Sequence, residues 1–512
     1  MDPIIGFVIL CYFNLNKLLC ISLWRCFVCN CYLFLQATLR KKIAPKDKAL
    51  EHFNEFYDSV YGHTWPKIRE ALLQEGNKYM AVVNNFSDTE RIQSNLESHG
   101  AINLRSIYNS YRELSQQQAT FQRKRKHHRS SNVQEKMESF ISETESSEIK
   151  SLYPSDHELA TESLQLKEND EVNLNEKPLD PVQLRSIETE LNTVSPDTSR
   201  IINPGVNLTG LYEYVPATKL KGMSDWVLES DYYRYYTKGS DFSVQIEKEP
   251  ILSFPEHLHV YTFEQHNDSR FPSPKKGSTG VLDYYLFDGG SILPVLALDV
   301  QPNDVVLDMC AAPGGKALTI LQTLLPKLMV ANDISQSRTK RIRNVLEQFT
   351  SGIDEAQKMV YVTEQDARII EDKDIYNKIL VDVPCTTDRH VLHSDENNLF
   401  RPDRVKERLR IPELQTEILT NALKLVKLGG TVVYSTCTLS PVQNDGVVQM
   451  AMKTVWEESD SLFVVKDMSR ALEPLKCLYK FGNIQLKYGH IAIPTLRNNW
   501  GPMYFCKIVR VQ

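Results

Sequence analysis

Between Asp304 and Cys437 the chain alternates short apolar runs with longer stretches of helical periodicity, an order that few architectures accommodate. Asp304-Val-Val-Leu-Asp-Met-Cys310 is a brief apolar run ending in polar residues, as a strand buried on both faces requires. After Ala311-Ala-Pro-Gly-Gly-Lys316, a helical pattern runs from Ala317 to Leu325 and stops at Pro326. Further strands are predicted over 328–331, 359–362, 378–383 and 431–435, with a long helix over 412–428 ended by Gly429-Gly430. Strands separated by helices of this length need crossover connections. The predicted fold class is therefore α/β, a doubly wound, mostly parallel sheet.

In such sheets ligands bind beyond the carboxyl ends of the strands, where the winding reverses. Those ends carry Gly314 and Gly315, Asp333, Asp366, Asp382, Cys385 and Cys437. Cys385 closes Val381-Asp-Val-Pro-Cys-Thr-Thr387, and Cys437 closes Tyr434-Ser-Thr-Cys-Thr-Leu-Ser440. Two thiols at the ligand edge of one sheet imply covalent chemistry on an electrophilic carbon. Buried, inert thiols remain the better reading for Cys310, Cys477 and Cys506.

The glycine loop is not built for phosphates. A P-loop needs Gly-x-x-x-x-Gly-Lys-Ser/Thr, and a dinucleotide site wants Gly-x-Gly-x-x-Gly. Here Lys316 is followed by Ala317, which offers no hydroxyl to a magnesium ion. Asp333 stands seventeen residues past Lys316, where a carboxylate grips a ribose hydroxyl pair. A nucleoside without phosphates, such as S-adenosylmethionine, suits this loop best.

The strings Cys310-Ala-Ala-Pro-Gly-Gly-Lys316, Asp382-Val-Pro-Cys385 and Ser435-Thr-Cys437-Thr resemble the Sun-type RNA cytosine-5 methyltransferases. The similarity runs from about Gly205 to the C-terminus. It leans toward the mitochondrial ribosomal-RNA branch through Asp382-Val-Pro-Cys-Thr-Thr-Asp-Arg-His390 and Gly501-Pro-Met-Tyr-Phe-Cys506. Trp65-Pro-Lys-Ile-Arg69 and Val82-Val-Asn-Asn-Phe86 are similar to that branch's N-terminal part. The resemblance implies a class I, Rossmann-like methyltransferase. It makes Cys437 the attacking thiol, Cys385 the residue that assists product release, and Asp382 the carboxylate that holds the base. It further implies cofactor contacts from Gly314, Gly315, Lys316, Asp333, Arg338, Asp366 and Asp382, with no metal. It also implies ribosomal RNA as substrate, a terminator-like helical-repeat protein as partner, and the mitochondrial matrix as location.

The chemistry explains why such residues are needed. Carbon 5 of cytosine is a poor nucleophile until a thiolate adds to carbon 6 and makes it enamine-like. DNA cytosine methyltransferases use a Pro-Cys thiol, the context of Cys385, so residue logic alone leaves the two roles open to exchange. The cytosine must also leave its stack before either thiol can reach it. Phe400-Arg-Pro-Asp-Arg-Val-Lys-Glu-Arg-Leu-Arg410 offers cations for RNA phosphates, and Asp231-Tyr-Tyr-Arg-Tyr-Tyr236 offers rings for bases; a solvated helix face and a packed hairpin are the plainer readings.

The net charge of −6 argues against nonspecific polyanion binding, so an RNA site has to be a local basic patch. Cys11, Cys20, Cys26, Cys29 and Cys31 crowd the start and form no disulfide framework; Cys26-x-x-Cys29-x-Cys31 lacks a fourth zinc ligand. Residues 1–46, with Asp2 as their one acid, suit a mitochondrial leader. A membrane anchor is disfavoured because Lys17 and Arg25 divide the apolar stretch, and a misassigned first exon is a further alternative. Residues 47–120 read as a helical appendage, 121–204 as a disordered linker containing the basic run Arg123–Arg129, and 205–512 as the methyltransferase domain. A non-catalytic ribosome-assembly factor and the same chemistry on transfer RNA are the competing functions.

Overall fold

The computed structural model describes residues 43–76, 78–114, 244–265, 267, 269–482 and 486–512. The proposed leader up to residue 42, the linker over 121–204 with its basic run, the aromatic stretch at 231–236 and the Cys26–Cys31 cluster lie outside the described residues.

Helix α1 (Pro45–Tyr61) starts on a proline, which has no N–H to lose at a first turn. Its Ala49, Phe53, Tyr57 and Val60 recur at helical spacing and are buried. Helix α2 (Trp65–Leu73) adds Trp65, Ile68 and Leu72 to the same core cluster. These N-terminal helices flank the sheet and share its core. Strand β1 (Tyr79–Val83), helix α3 (Thr89–Ser98) and strand β2 (Ile102–Asn103) follow. After β3 (Gln245–Lys248) come β4 (Val260–Thr262) and β5 (Tyr284–Asp288), and β2-β4-β1-β5 form one antiparallel sheet. Strands on both sides of the linker thus share their hydrogen bonds.

Helix α4 (Ile292–Leu298), buried throughout, leads into the main sheet. Its parallel strands are β6 (Val305–Asp308), β7 (Leu328–Asn332), β8 (Val360–Thr363), β9 (Tyr376–Asp382) and β10 (Val426–Thr436), ordered β10-β9-β6-β7-β8. Winding reverses between β6 and β9, which pair in parallel. The crevice expected at a topological switch point therefore opens there, between the glycine loop and Asp382. Beyond β10 the chain adds β11 (Phe463–Asp467), β12 (Lys480–Phe481), β13 (His490–Ile493) and β14 (Met503–Arg510). Strand β14 runs antiparallel beside β10, pairing Thr436 with Tyr504, and carries β13 and β12 outside it.

Two expectations shift. The long helix spans Val405–Leu425, not 412–428, and holds Pro412 inside. Gly429-Gly430 do not end it: they fall within β10, where pairing with β9 skips from Val426 to Thr431. A glycine pair reads equally as a helix stop or a strand bulge, and here the bulge prevails.

Candidate active site

Asp388 and four hydrogen-bond donors clamp the loops after β9 and β10 together. Asp388 is fully buried. Its Oδ1 accepts hydrogen bonds from Thr386 (2.9 Å) and Thr438 (2.8 Å), and its Oδ2 from the Tyr57 hydroxyl and the Leu439 amide, both at 2.8 Å. The Thr386 and Thr438 hydroxyl oxygens lie 2.9 Å apart. Each threonine follows a cysteine in sequence, so the clamp sets the thiols side by side: Cys385 Sγ and Cys437 Sγ lie 3.1 Å apart. Sequence reasoning marked both thiols but missed Asp388, which differs from any loop aspartate only through its burial.

At that separation the thiols titrate as one unit. A Cys385 thiolate is stabilised by the Cys437 S–H and held below the usual thiol range despite its burial. The same hydrogen bond, together with burial, holds the remaining Cys437 proton on well above that range. Cys310, by contrast, is pushed far up by burial and stays an inert thiol.

On the cofactor side, Lys316 Nζ reaches Asp382 Oδ2 at 2.8 Å, and the Ser435 hydroxyl donates to Asp382 Oδ1 at 2.8 Å. Burial alone lowers a lysine, but Asp382 outweighs it and keeps the Lys316 ammonium charged. Asp308, behind them, is fully buried, and neither of its oxygens makes a well-formed hydrogen bond. Burial first, and then the Asp382 charge, push its carboxyl up to about 8. Asp333 is 2 % exposed; Arg338 lies 3.2 Å from its Oδ2, yet that oxygen has no aligned donor. Asn332, unmarked by its sequence, ties three strand ends: its amide donates to Met309 and Gln365 carbonyls and accepts from the Gln365 N–H. Asp366 stands at the next strand end, its carboxylate already engaged by the Arg368 guanidinium at 2.7–3.1 Å, which holds it below the usual carboxylate range.

A cleft of about 640 Å³ opens beside Cys385, lined by Thr387, His390, Arg338, Lys406 and Arg410. The basic stretch 400–410 divides here. Arg408 is buried and stacks on Phe400 at 4.5 Å, so it packs the core and faces no phosphate. Arg401 and Arg404 pair with Asp403 and Glu407, while Lys406 and Arg410 line the cleft.

The family model described as 16S rRNA methyltransferase RsmB/F matches residues 295–471, which hold the glycine loop and both cysteines. The chain is 33% identical over 481 residues to the 5-cytosine rRNA methyltransferase nsun-4 of Caenorhabditis elegans, covering 91% of this chain and 92% of that one. It belongs to the Sun family of RNA cytosine-5 methyltransferases. The 5-cytosine rRNA methyltransferase NSUN4 of Xenopus laevis is 33% identical across 93% of both chains, and that of Mus musculus 44% identical over 51% of this chain and 69% of its own.

The cofactor of this methyltransferase is S-adenosylmethionine, and the crevice fits it. A Cβ on Gly315 would come within 2.8 Å of Phe287 and 3.0 Å of Tyr285, so only glycine keeps the loop's inner wall clear. Gly314 adopts φ +111°, which side chains rarely tolerate. Asp333 Oδ2, approached by Arg338 at 3.2 Å but without an aligned donor, leaves an acceptor for the hydroxyl groups of such a ligand. Among the described residues no cluster of His, Cys, Asp and Glu is placed to hold a metal ion, and no helix is long and apolar enough to cross a membrane.

Proposed function

We propose that this methyltransferase modifies carbon 5 of a cytosine in mitochondrial small-subunit ribosomal RNA through a covalent Cys437 adduct. The observation that carries the reading is the 3.1 Å approach of Cys437 and Cys385 beside the Lys316–Asp382 pair. The bound cofactor supplies an electrophilic methyl group. As Cys437 adds to carbon 6 of the flipped cytosine, its proton passes to the Cys385 thiolate, which releases it to solvent before the next step; Asp382 holds the ring's polar edge while Lys316 fixes that carboxylate. Once carbon 5 is methylated, Cys385 takes the carbon-5 proton, the carbon 6–sulfur bond breaks, and the ring recovers its aromaticity with Cys437 released as thiolate. Gly314, Gly315, Asp333 and Arg338 bind the nucleoside, and Asp366 lies beside the adenine. Lys406 and Arg410 meet phosphates next to the target. The ribosomal-RNA substrate rests on the relatives being 5-cytosine rRNA methyltransferases, and the mitochondrial matrix on the sequence resemblance. A role in mitoribosome assembly and docking by a terminator-like helical-repeat partner belong to the same reading.

Bisulfite sequencing of total RNA from cells with and without this protein tests the proposal. The expected result is one lost methylcytosine in mitochondrial small-subunit ribosomal RNA. Loss confined to transfer RNA reassigns the substrate, and an unchanged map refutes the reaction.

A further inference from the structure

The carboxyl edge of the sheet does not end at Cys437. Strand β14 starts beside the end of β10, β13 ends beside the start of β14, and Lys480 of β12 pairs with Ile493 at the end of β13. Lys480 therefore stands on the same edge as the thiols, three strand spacings from β10, or about 14 Å at about 4.8 Å each. A groove of about 870 Å³ opens there. Its lining includes four cations, Lys67, Lys476, Lys480 and Arg497, against one carboxylate, Glu70, with Glu473 just outside it at 3.6 Å from Lys476. That local excess stands out on a chain where 65 acidic residues outnumber 59 basic ones. Half-buried Phe481 also lines it, its ring stacked on Tyr479 with centroids 5.9 Å apart.

One loop ties the groove to the active-site segment after β9. Residues 494–497 line the groove, while Asn499 and Gly501 of the same loop accept hydrogen bonds from Arg389, four residues past Cys385. Lys78 adds a bond to Asn498 at 3.1 Å. A cleft on one flank of the thiols and a cation-lined groove on the other leave the reacting base between two basic surfaces.

Resting on the proposed reaction, we infer that this groove is a second RNA-binding surface, which holds the backbone of the substrate strand a few nucleotides from the target cytosine. Lys476 and Lys480 meet phosphates, and Phe481 provides a stacking face for an unpaired base. The surface takes RNA of either sequence context, because charge and stacking carry no base code.

The test is a Lys476→Glu/Lys480→Glu double variant of the full chain. Both lysines are exposed, so the fold tolerates the change, and an unaltered melting midpoint confirms it. Binding is measured across salt concentrations for an in vitro transcript of mitochondrial small-subunit ribosomal RNA and for a short oligonucleotide filling only the active site. The transcript's affinity is expected to fall about tenfold. Its log–log salt slope should fall by about 1.4, two contacts at about 0.7 each. The oligonucleotide's affinity should not change. Equal transcript affinity and slope in both proteins overturn the inference, as does loss of a bound protein partner with RNA binding intact. Methyl transfer by the unaltered chain is read separately: a chain that binds RNA through the groove but methylates nothing refutes the reaction and leaves the groove standing.

Discussion

Cys385→Ala separates addition from release. The substitution removes the sulfur 3.1 Å from Cys437. In the intact pair, Cys437 is held up first by its hydrogen bond to Cys385, then by burial, then by the Cys385 charge and Asp382. Deleting Cys385 cancels the first and third of these, so the Cys437 thiolate forms at lower pH and addition to carbon 6 survives. Release suffers instead. A positioned acid–base group contributes about 10²–10⁴-fold, or roughly 2.7–5.4 kcal/mol of barrier. Elimination slowed by that factor strands the protein on its substrate. Purified Cys385→Ala protein, incubated with cofactor and RNA, should give a band of protein–RNA complex on denaturing gels within a turnover time. Cys437→Ala should give none, and the double variant none. The pH midpoint for adduct formation should lie below that for turnover of the unaltered enzyme. A Cys437→Ala protein that traps RNA, beside a Cys385→Ala protein that does not, reverses the roles; absence of any band from both refutes thiol addition.

Asp308→Asn should flatten the pH dependence of stability. With the folded carboxyl pushed up to about 8, the folded chain keeps a proton that the unfolded chain releases near about 4. Asp308 therefore favours folding most below about pH 4, and that contribution is lost as pH rises to about 8, by roughly 1.4 kcal/mol per pH unit. Melting midpoints across that window should decline in the unaltered protein and decline less in the variant; equal slopes refute the assignment. Asp388→Asn leaves one carbonyl oxygen to serve four donors, and two lost charge-assisted hydrogen bonds at about 1.5–3 kcal/mol each should lower stability by roughly 3–6 kcal/mol. Urea denaturation measures the loss, and a change under about 1 kcal/mol shows that the clamp is not carried by Asp388.

The parallel sheet was legible because apolar runs and strand-end residues are local signals. Five strands fall within a few residues of their predicted positions, and both thiols converge as the strand order requires. Other features are fixed by contacts distant in sequence and leave no local trace. Asn332 and Asp388 read as ordinary loop residues until burial shows them tying strand ends and thiol loops. Arg408 sits in a basic run that promised phosphate contact, yet one turn of helix swings it onto Phe400. The N-terminal sheet escaped notice because its four short strands come from both sides of a long intervening segment, and two of them have three residues or fewer.

Tyr57 and Asp388 are 331 positions apart, and Thr438 lies 50 further on. Contacts of that reach need nearly the whole chain in place before they can form. A partly made or partly unfolded molecule therefore has its sulfurs uncoupled and its thiolate unformed. The capacity to alkylate RNA arrives only with completion, so an unfinished copy is a harmless one.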